Sequence, residues 1–354
     1  MKVSLIAVCH HSSGVLPRCV SSFREQARAA GVEPEVVVVE HSENDDEAAA
    51  VAVCGPDRIL RRPNQGYAAG LNAGVAEASG DLIFLANPDI EFLDGSVGGL
   101  VDAIADGADV AGPQLVWDPA CEVVLPIPDD PGPLAELRRT IRRRWPSVSS
   151  LEGRMAASWR VWTAEEPCVV PSLRGPLMAA SRESMRRLGP LDEGYFLYYE
   201  ETEWLWRARS RGAQLMLAPR SRVVHRWGHS TRRLGDQARI EERSRNRFFK
   251  RNYPGLVRAI LGRIPVADDS QETGFERVSG PDSIPEINAD VWLISIVSQM
   301  EPSVGCLGVS SLPPAARELS SSGRWYAVAG RIEGRRWRLQ GRWTWEKPSS
   351  NQSS

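Results

Sequence analysis

Short apolar strands alternate with helix-like segments at the start of the chain, and this alternation constrains the fold more than any other feature. Val3 to Cys9, Glu35 to Glu40 and Asp81 to Ala86 are apolar runs of strand length. Between them, Leu16 to Ala30 and Gly66 to Ala78 have the apolar spacing of helices. Strands and helices in this order form βαβ units. We therefore predict an α/β, Rossmann-like fold with a mostly parallel central sheet and flanking helices.

The residues that follow these strands are the first candidates for a site, because such sheets bind ligands at the carboxyl ends of their strands. Cys9 and His10 end the first strand, and Glu40 ends the second. Glu40 could accept hydrogen bonds from a nucleobase or belong to a solvated acidic loop. Asn87-Pro88-Asp89 follows the strand that ends at Ala86. Its carboxylate could hold a divalent cation on a diphosphate, although this tripeptide is also favourable turn chemistry.

Composition excludes several other classes of protein. The 354-residue chain has a formal net charge of −2, which gives no bulk attraction to nucleic acid. Its six cysteines include no C-x-x-C pair, so neither a zinc ribbon nor a redox dithiol is indicated. The apolar run at the start is too short for a signal peptide, and no run of about 18 apolar residues follows. We therefore expect a cytoplasmic protein.

The composition shifts to Ser, Gly, Pro and Trp beyond the α/β region. Trp-containing runs with alternating polarity near the carboxyl end are typical of antiparallel strands. We predict an α/β domain at residues 1–264, a linker at 265–285, a small β-rich module at 286–347 and a disordered tail at 348–354. The tryptophans of that module could stack on sugar rings or simply form a small aromatic core.

An acidic and aromatic cluster lies between Phe196 and Arg207, where three carboxylates and five aromatic residues fall within twelve positions. Paired glutamates under aromatic cover, here Glu200 and Glu201, suit a general base whose pKa is raised by burial and by its neighbour's charge. An acidic first turn that complements the helix dipole explains the same pattern without any catalytic role.

Three further features could contribute to a site. The run from Asn64 to Gly74 spaces its glycines four apart, which suits close helix packing or a helix start that presents N–H groups to a ligand. His225 could complete a metal shell with Asp89, although a lone histidine is more often structural. Arg245 belongs to a basic run that could clamp phosphates or form a solvated helix face.

In this order the motifs resemble those of the inverting family-2 glycosyltransferases of GT-A fold, particularly bacterial rhamnosyltransferase-like members. The resemblance covers about residues 2 to 255. The N-x-G-[FY]-x-x-G-x-N run is intact as Asn64 to Asn72, the N-P-D turn is intact, and V-x-H-x-x-G-x-S is intact as Val223 to Ser230. Three motifs depart from the family: Thr-Tyr-Asn is Cys9-His10-His11, the acid after the second strand is Glu40 instead of Asp, and E-D-x-D is Glu200-Glu201-Thr202-Glu203.

The resemblance implies a transferase that moves a sugar from a nucleotide-diphosphate donor to a hydroxyl of a glycan, lipid-linked or small-molecule acceptor. It places Cys9, His10 and Glu40 at the nucleobase. It implies that Asp89 binds Mg²⁺ or Mn²⁺ with help from His225, and that Glu201 is the base, with Glu200 as the alternative. The residues that would complete the nucleotide-sugar pocket are Asn64, Gly66, Asn72, Asn87 and Arg245.

Other readings of the sequence remain open. A nucleotidyltransferase would need a Gly-rich, Arg-containing loop after the first strand, and Cys9 to Leu16 is not one. A non-catalytic carbohydrate binder of the same family would fit the altered motifs and the Trp-rich tail. The basic helix at 134–145 could contact an anionic membrane, where the family's lipid-linked acceptors are found, or could be a plain surface helix.

Overall fold

A computed structural model describes residues 1–145, 148–226, 236–264, 274–298, 300, 302–317, 319, 323–333 and 336–347. The chain divides into two compact units, and both are discontinuous in sequence. The first unit consists of residues 1–115, 128–133 and 164–258, and the second of residues 116–127, 134–163 and 259–354. No helix in the described ranges is long and apolar enough to cross a bilayer.

The first unit begins with alternating strands and helices, as the apolar pattern predicts. The elements up to the first break in this unit are β1 (Lys2–Cys9), α1 (Leu16–Ala29), β2 (Glu33–Glu40), α2 (Asp45–Val53), β3 (Arg58–Arg61), α3 (Tyr67–Glu77), β4 (Leu82–Ala86), β5 (Ile90–Phe92), α4 (Ser96–Ala105) and β6 (Val110–Val116). Strands β1 and β4 are almost entirely buried, which explains why their sequences are apolar without alternation.

The chain then forms α5 (Pro133–Arg144) and α6 (Val148–Trp162), which fall mainly in the second unit, and returns to the first. The remaining elements there are β7 (Cys168–Val169), β8 (Leu177–Ser181), α7 (Arg182–Leu188), α8 (Glu200–Ser210), β9 (Leu215–His225), α9 (Gln237–Asn252) and α10 (Gly255–Leu261), whose last residues pass into the second unit.

The central sheet has the order β3-β2-β1-β4-β8-β6-β9-β5, with β7 added beside β9. The first four strands are parallel: β1 pairs with β2 and with β4, and β2 pairs with β3. Beyond β4 the sheet is mixed, because β8 runs antiparallel to both β4 and β6. The α/β class is therefore confirmed, and the parallel half is the half that the alternating pattern predicts.

One strand differs from the sequence pattern. Two short strands are expected near residues 214–217 and 222–225, but the chain forms the single strand β9. Its two ends pair with different partners: Met216 and Leu217 pair with β7, and Val223 to His225 pair with β5. Pro219 lies between these two pairing segments.

The second unit is the predicted β-rich module enlarged by an earlier part of the chain. Its sheet has the order β10-β14-β13-β11-β12. These strands are β10 (Glu276–Arg277), β11 (Val291–Ser295), β12 (Val304–Leu307), β13 (Gly323–Glu333) and β14 (Arg336–Lys347), with the short helix α11 (Pro314–Arg317). Met155 and Trp162 of α6 are buried in one apolar cluster with Leu293 and Val328. Residues 116–127 and 134–163, which the sequence predicts as part of the first domain, belong to the second unit, and Val124, Met155 and Trp162 from these ranges supply core to it.

Most tryptophans of this module are core residues. Trp292, Trp325, Trp343 and Trp345 are each less than 10% exposed. The rings of Trp325 and Trp345 are stacked, and Trp337 packs edge-on against Trp159. Of the two interpretations of the Trp-rich tail, the structure therefore supports the aromatic core.

Candidate active site

The carboxyl ends of three parallel strands bring the first group of predicted residues to one edge of the sheet. Cys9 is the register partner of Glu40, and Ala7 is the partner of Ala86, which directly precedes Asn87. The residues that follow β1, β2 and β4 therefore lie side by side, as expected from the parallel arrangement.

A cavity of about 450 Å³ lies within the first unit at this edge. Six of the predicted site residues line it: His10, Asn64, Asn87, Glu200, Glu201 and His225. Other lining residues escaped the sequence analysis, among them Ser12, His41, Tyr67, Arg174, Tyr198 and Gln237. The cavity thus collects residues from both the strand-end loops and the acidic cluster at the start of α8.

Glu200 and Glu201 stand at the amino end of α8, which is preceded by two strained residues. Tyr198 and Tyr199 have φ angles of 66° and 67°, in the left-handed region that non-glycine residues rarely adopt. Gln237 Nε2 donates a hydrogen bond of 2.6 Å to the Tyr198 hydroxyl, which ties this turn to the start of α9. Strain of this kind is retained where the surrounding structure fixes the backbone. Here the strained turn fixes the positions of Glu200 and Glu201 at the start of α8.

The two carboxyl groups are poorly solvated. Glu200 is buried and Glu201 is half-buried, and the Oε2 atom of each has no hydrogen-bond partner among the described residues. Burial raises the pKa of Glu200 well above its ordinary value, and the Glu201 carboxylate raises it further. Burial also raises the pKa of Glu201, while backbone N–H groups and the Arg174 guanidinium act in the opposite direction. Such a pair suits a base that takes a proton.

Glu203, the third acid of the cluster, has a structural role. It is buried, and its carboxylate receives the Arg207 guanidinium at 3.2 Å, one helical turn further along α8. Arg207 in turn donates to the carbonyl oxygens of Leu188 and Pro190. Glu203 therefore anchors α8 to the preceding loop.

Arg174 and Gly175 form the wall of the cavity beside Glu201. Burial lowers the pKa of the Arg174 guanidinium, and the negative charges of Asp129 and Glu201 oppose that shift. Gly175 leaves room for the Glu201 side chain, because a Cβ atom at this position would come within 3.0 Å of Glu201 Cγ. The Glu201 side chain therefore lies beside Gly175, which leaves space for it, and is influenced by the positive charge of Arg174.

Asp89 and His225 form a second pair of side chains, which the pairing of β5 with β9 brings together. His225 is the register partner of Ile90, the residue after Asp89. Its Nε2 atom lies 3.6 Å from Asp89 Oδ1, and both side chains are buried. Neither carboxylate oxygen of Asp89 has a hydrogen-bond partner among the described residues. The last part of the predicted V-x-H-x-x-G-x-S segment, residues 227–230, lies outside the described residues.

Tyr67 links these groups. Its hydroxyl donates a hydrogen bond of 2.7 Å to Asn87 Oδ1. Burial raises the pKa of this hydroxyl, and the negative charges of Glu200, Asp89 and Glu201 add to the effect. Tyr67 therefore lies among all three carboxylates and fixes the orientation of the Asn87 amide.

The start of α3 packs directly on the loop that leads to α8. Gly66 has a φ of 106°, and a Cβ atom there would fall 2.7 Å from the carbonyl oxygen of Phe196. The Tyr67 backbone N–H donates to that same oxygen at 2.8 Å, and Asn64 Oδ1 accepts from the Gly66 N–H at 3.1 Å. The start of α3 thus holds the loop that leads to α8, and Asn64 and Tyr67 also line the cavity.

The remaining predicted residues do not line the cavity. Cys9 and Glu40 are buried, and Glu40 Oε1 accepts the Ser42 N–H at 2.6 Å. The Asn72 side chain bonds to the backbone of Leu191 and to Glu193, and it lines a second cavity that shares His41 with the first. Arg245 is exposed, with its guanidinium 5.9 Å from the Phe249 ring centroid.

This chain is similar to known proteins in both sequence and fold. Residues 4–156 match Glycosyl transferase family 2. The N-acetylglucosaminyl-diphospho-decaprenol L-rhamnosyltransferase of Mycobacterium tuberculosis is 27% identical over 189 residues, which are 48% of this chain and 58% of that protein. The chain thus spans little more than half the length of this relative.

Among solved structures, GalNAc-T7 with UDP, GalNAc and Mn²⁺ superposes with a TM-score of 0.50 at 18% identity, covering 77% of this chain and 53% of that one. The mannosyltransferase of Pyrobaculum calidifontis in complex with GDP-Man and Mn²⁺ gives a TM-score of 0.47 at 17% identity, covering 75% and 66%. The strand order and the GalNAc-T7 superposition agree on the GT-A fold, and residues 4–156 are similar to Glycosyl transferase family 2.

Proposed function

We propose that the protein is an inverting glycosyltransferase that moves a sugar from a nucleotide-diphosphate donor to a hydroxyl group of its acceptor by direct displacement. One observation carries the proposal: Glu200, Glu201 and His225, whose ring lies 3.6 Å from Asp89, line one cavity at the carboxyl edge of the sheet. A proton acceptor and a candidate holder of a diphosphate cation are both needed for this chemistry.

A divalent cation fits the residues present. Two buried carboxylate oxygens of Asp89 lack hydrogen-bond partners among the described residues, and such groups are costly unless a cation or donor satisfies them. Asp89 and His225 would hold Mg²⁺ or Mn²⁺ together with the donor's phosphate oxygens. The described residues contain no group of three His, Cys, Asp or Glu side chains that could hold a metal by themselves. When bound, the cation would neutralise charge on the departing diphosphate.

The chain's own residues would handle the acceptor and the donor. Glu201 would remove the proton from the acceptor hydroxyl, since this residue lines the cavity and burial raises the pKa of its carboxyl group. Glu200 is the alternative base. Asn87, held by Tyr67, and Asn64 would position the donor. The roles of Cys9, His10, Glu40, Gly66, Asn72 and Arg245 in nucleotide-sugar binding remain part of the proposal.

One relative supports a deoxysugar donor. The mycobacterial relative is named as an L-rhamnosyltransferase, and the GalNAc-T7 structure holds UDP and Mn²⁺. We propose a rhamnosyl donor such as dTDP-rhamnose, and a glycan, lipid-linked or small-molecule acceptor, for a bacterial enzyme of polysaccharide biosynthesis in the cytoplasm. A lipid-linked acceptor would place the enzyme at the inner face of the membrane.

Donor binding and donor hydrolysis test the assigned roles. Wild type is compared with Asp89→Ala and Glu201→Gln across UDP-, GDP- and dTDP-sugars, with Mg²⁺ or Mn²⁺. We expect metal-dependent binding to be lost in Asp89→Ala. Glu201→Gln should bind the donor normally and lose about 10²–10⁴-fold in sugar transfer, because only the proton acceptor is removed.

Exposed acids elsewhere in the first unit provide matched controls. Asp106→Ala and Glu25→Gln make the same chemical changes at exposed positions and should leave binding and turnover unchanged. Failure of the wild-type protein to bind any nucleotide sugar would contradict the proposal and favour a non-catalytic carbohydrate binder. Full activity of Glu201→Gln with loss in Glu200→Gln would move the base to Glu200.

A further inference from the structure

Helix α5 presents a single exposed stripe. Its exposed residues are Leu134, Arg138, Ile141, Arg142 and Trp145. They are spaced i, i+4, i+7, i+8 and i+11, and such residues share one side of an α-helix. Trp145 follows the last residue of α5, and its N–H donates to the carbonyl oxygen of Ile141 at 2.9 Å, which continues the helical turn.

The centre of this stripe is apolar. Leu134 is 64% exposed, Ile141 42% and Trp145 60%. At about 100° per residue these three side chains fall within about 40° of arc on the helix surface. Single exposed apolar residues are ordinary on a protein surface, but an aligned row that includes a tryptophan is typical of a binding surface.

The stripe is flanked by positive charge. The segment from Pro133 to Trp145 contains five arginines and one acid, Glu136, which pairs with Arg139 away from the stripe. Arg138 and Arg142 lie on one flank of the apolar row. On the other flank, the Arg144 guanidinium lies 5.4 Å from the centroid of the Trp145 ring. A row of apolar side chains between arginines matches the boundary between lipid headgroups and acyl chains.

We infer that this stripe of α5 docks the protein on an anionic bilayer, with Leu134, Ile141 and Trp145 inserted below the headgroups and the flanking arginines bound to lipid phosphates. The inference names the face of the helix that contacts the membrane, and it rests on the proposed function only for the lipid-linked class of acceptor. It excludes Arg139 from the contact, since that residue lies on the far side and pairs with Glu136.

Co-sedimentation with vesicles tests the inference. The intact chain is mixed with phosphatidylcholine vesicles that contain or lack phosphatidylglycerol. Wild type should bind the anionic vesicles preferentially. Arg138→Gln/Arg142→Gln should weaken that binding about 25-fold, from about fivefold per arginine near an anionic surface. Ile141→Ser/Trp145→Ser should weaken it by at least tenfold without any change in charge.

Two exposed arginines on other helices form the matched control. Arg28→Gln/Arg243→Gln removes the same charge and should leave vesicle binding unchanged. Equal loss in this control, or equal binding to neutral vesicles, would overturn the inference. A third result would also overturn it. If Arg138→Gln/Arg142→Gln lost binding to duplex DNA and Ile141→Ser/Trp145→Ser still bound vesicles like wild type, the stripe would be a surface for any polyanion. Circular dichroism checks folding, and donor hydrolysis measured in parallel separates this outcome from a failure of the proposed function.

Discussion

Glu200 and Glu201 are adjacent carboxyl groups in a poorly solvated site, so ionisation of one disfavours ionisation of the other. Burial and mutual repulsion raise the pKa of Glu200, whereas Arg174 helps to keep Glu201 ionised. The environments of the two glutamates therefore differ, although their chemistry is identical. This difference favours Glu201 as the group that is ready to accept a proton, and Glu200 as the group that stays protonated over a wider pH range.

The pH dependence of sugar transfer should report this arrangement. A base works only when deprotonated, so kcat/KM should fall as the pH drops through the raised pKa of Glu201, above the range where an ordinary glutamate titrates. Arg174→Gln removes a neighbouring positive charge, which raises that pKa further and should move the acid limb up by about one pH unit. Arg186→Gln, at an exposed position on α7, should leave the limb in place. An unshifted limb in Arg174→Gln would show that Arg174 does not act on the base.

At this scale the sequence located the acids but not their partners. Glu200, Glu201 and Asp89 are recognisable because charged residues are conspicuous beside apolar strands and aromatic residues. Arg174 and Tyr67 carry no such signal, since their burial depends on which elements pack around them. Arg174 precedes β8, and the antiparallel pairing of β8 with β4 links residues about a hundred positions apart in the chain. Local patterns do not encode that pairing.

At the scale of elements, the amino end of α3 and the loop before α8 are coupled by direct backbone contacts. Gly66 accepts a positive φ and allows the Phe196 backbone to lie against it, while the Tyr67 N–H holds the Phe196 carbonyl. The residues proposed to bind the donor on one side and the strained tyrosines on the other are therefore fixed through backbone contacts. Movement of either element would displace the carboxylates that begin α8.

Substitution of Gly66 tests this coupling. Gly66→Ala should destabilise the fold by about 1–3 kcal/mol, because alanine resists the positive φ and its Cβ collides with the Phe196 carbonyl. It should also lower kcat, since the loop before Glu200 must shift. Gly153→Ala, in a helix with open space around the added Cβ, should be neutral or stabilising by about 0.5–1 kcal/mol. Chemical denaturation and steady-state kinetics measure both effects; wild-type kcat in a destabilised Gly66→Ala would disprove the coupling.

The sequence pattern predicted α1 and α3 to within a few residues, whereas α2, α4 and α6 were missed. The start of α2 does carry a cap signal: Asn44 Oδ1 accepts the N–H groups of Asp46 and Glu47, and three acids fill the first turn. The Ala-rich sequence of α2 is only weakly amphipathic, so it resembles an acidic loop and not a helix. α6 is defined by burial of Met155 and Trp162 in a cluster with strands over a hundred residues later.

The division of the whole molecule into two discontinuous units bears on where the chain can be cut. The sequence places a boundary at residue 264, but Met155 and Trp162 are buried against strands that lie beyond it. A chain ending at residue 264 would expose these side chains. We expect it to aggregate and to bind a hydrophobic dye, while the full chain does neither. A soluble, cooperatively folding 1–264 fragment without dye binding would instead support the predicted boundary.

The discontinuity also sets an order for folding during synthesis. The first unit is complete once residue 258 has left the ribosome, whereas α6 must wait for β11 and the strands that follow it. At a synthesis rate of about 5–20 residues per second, the roughly 130 residues between Trp162 and Val291 take about 7–25 seconds. Throughout that interval Met155 and Trp162 have no native sheet to cover them. A nascent chain of this protein should therefore be a chaperone substrate late in translation, and slowing its final third should lower the yield of native protein more than slowing its first.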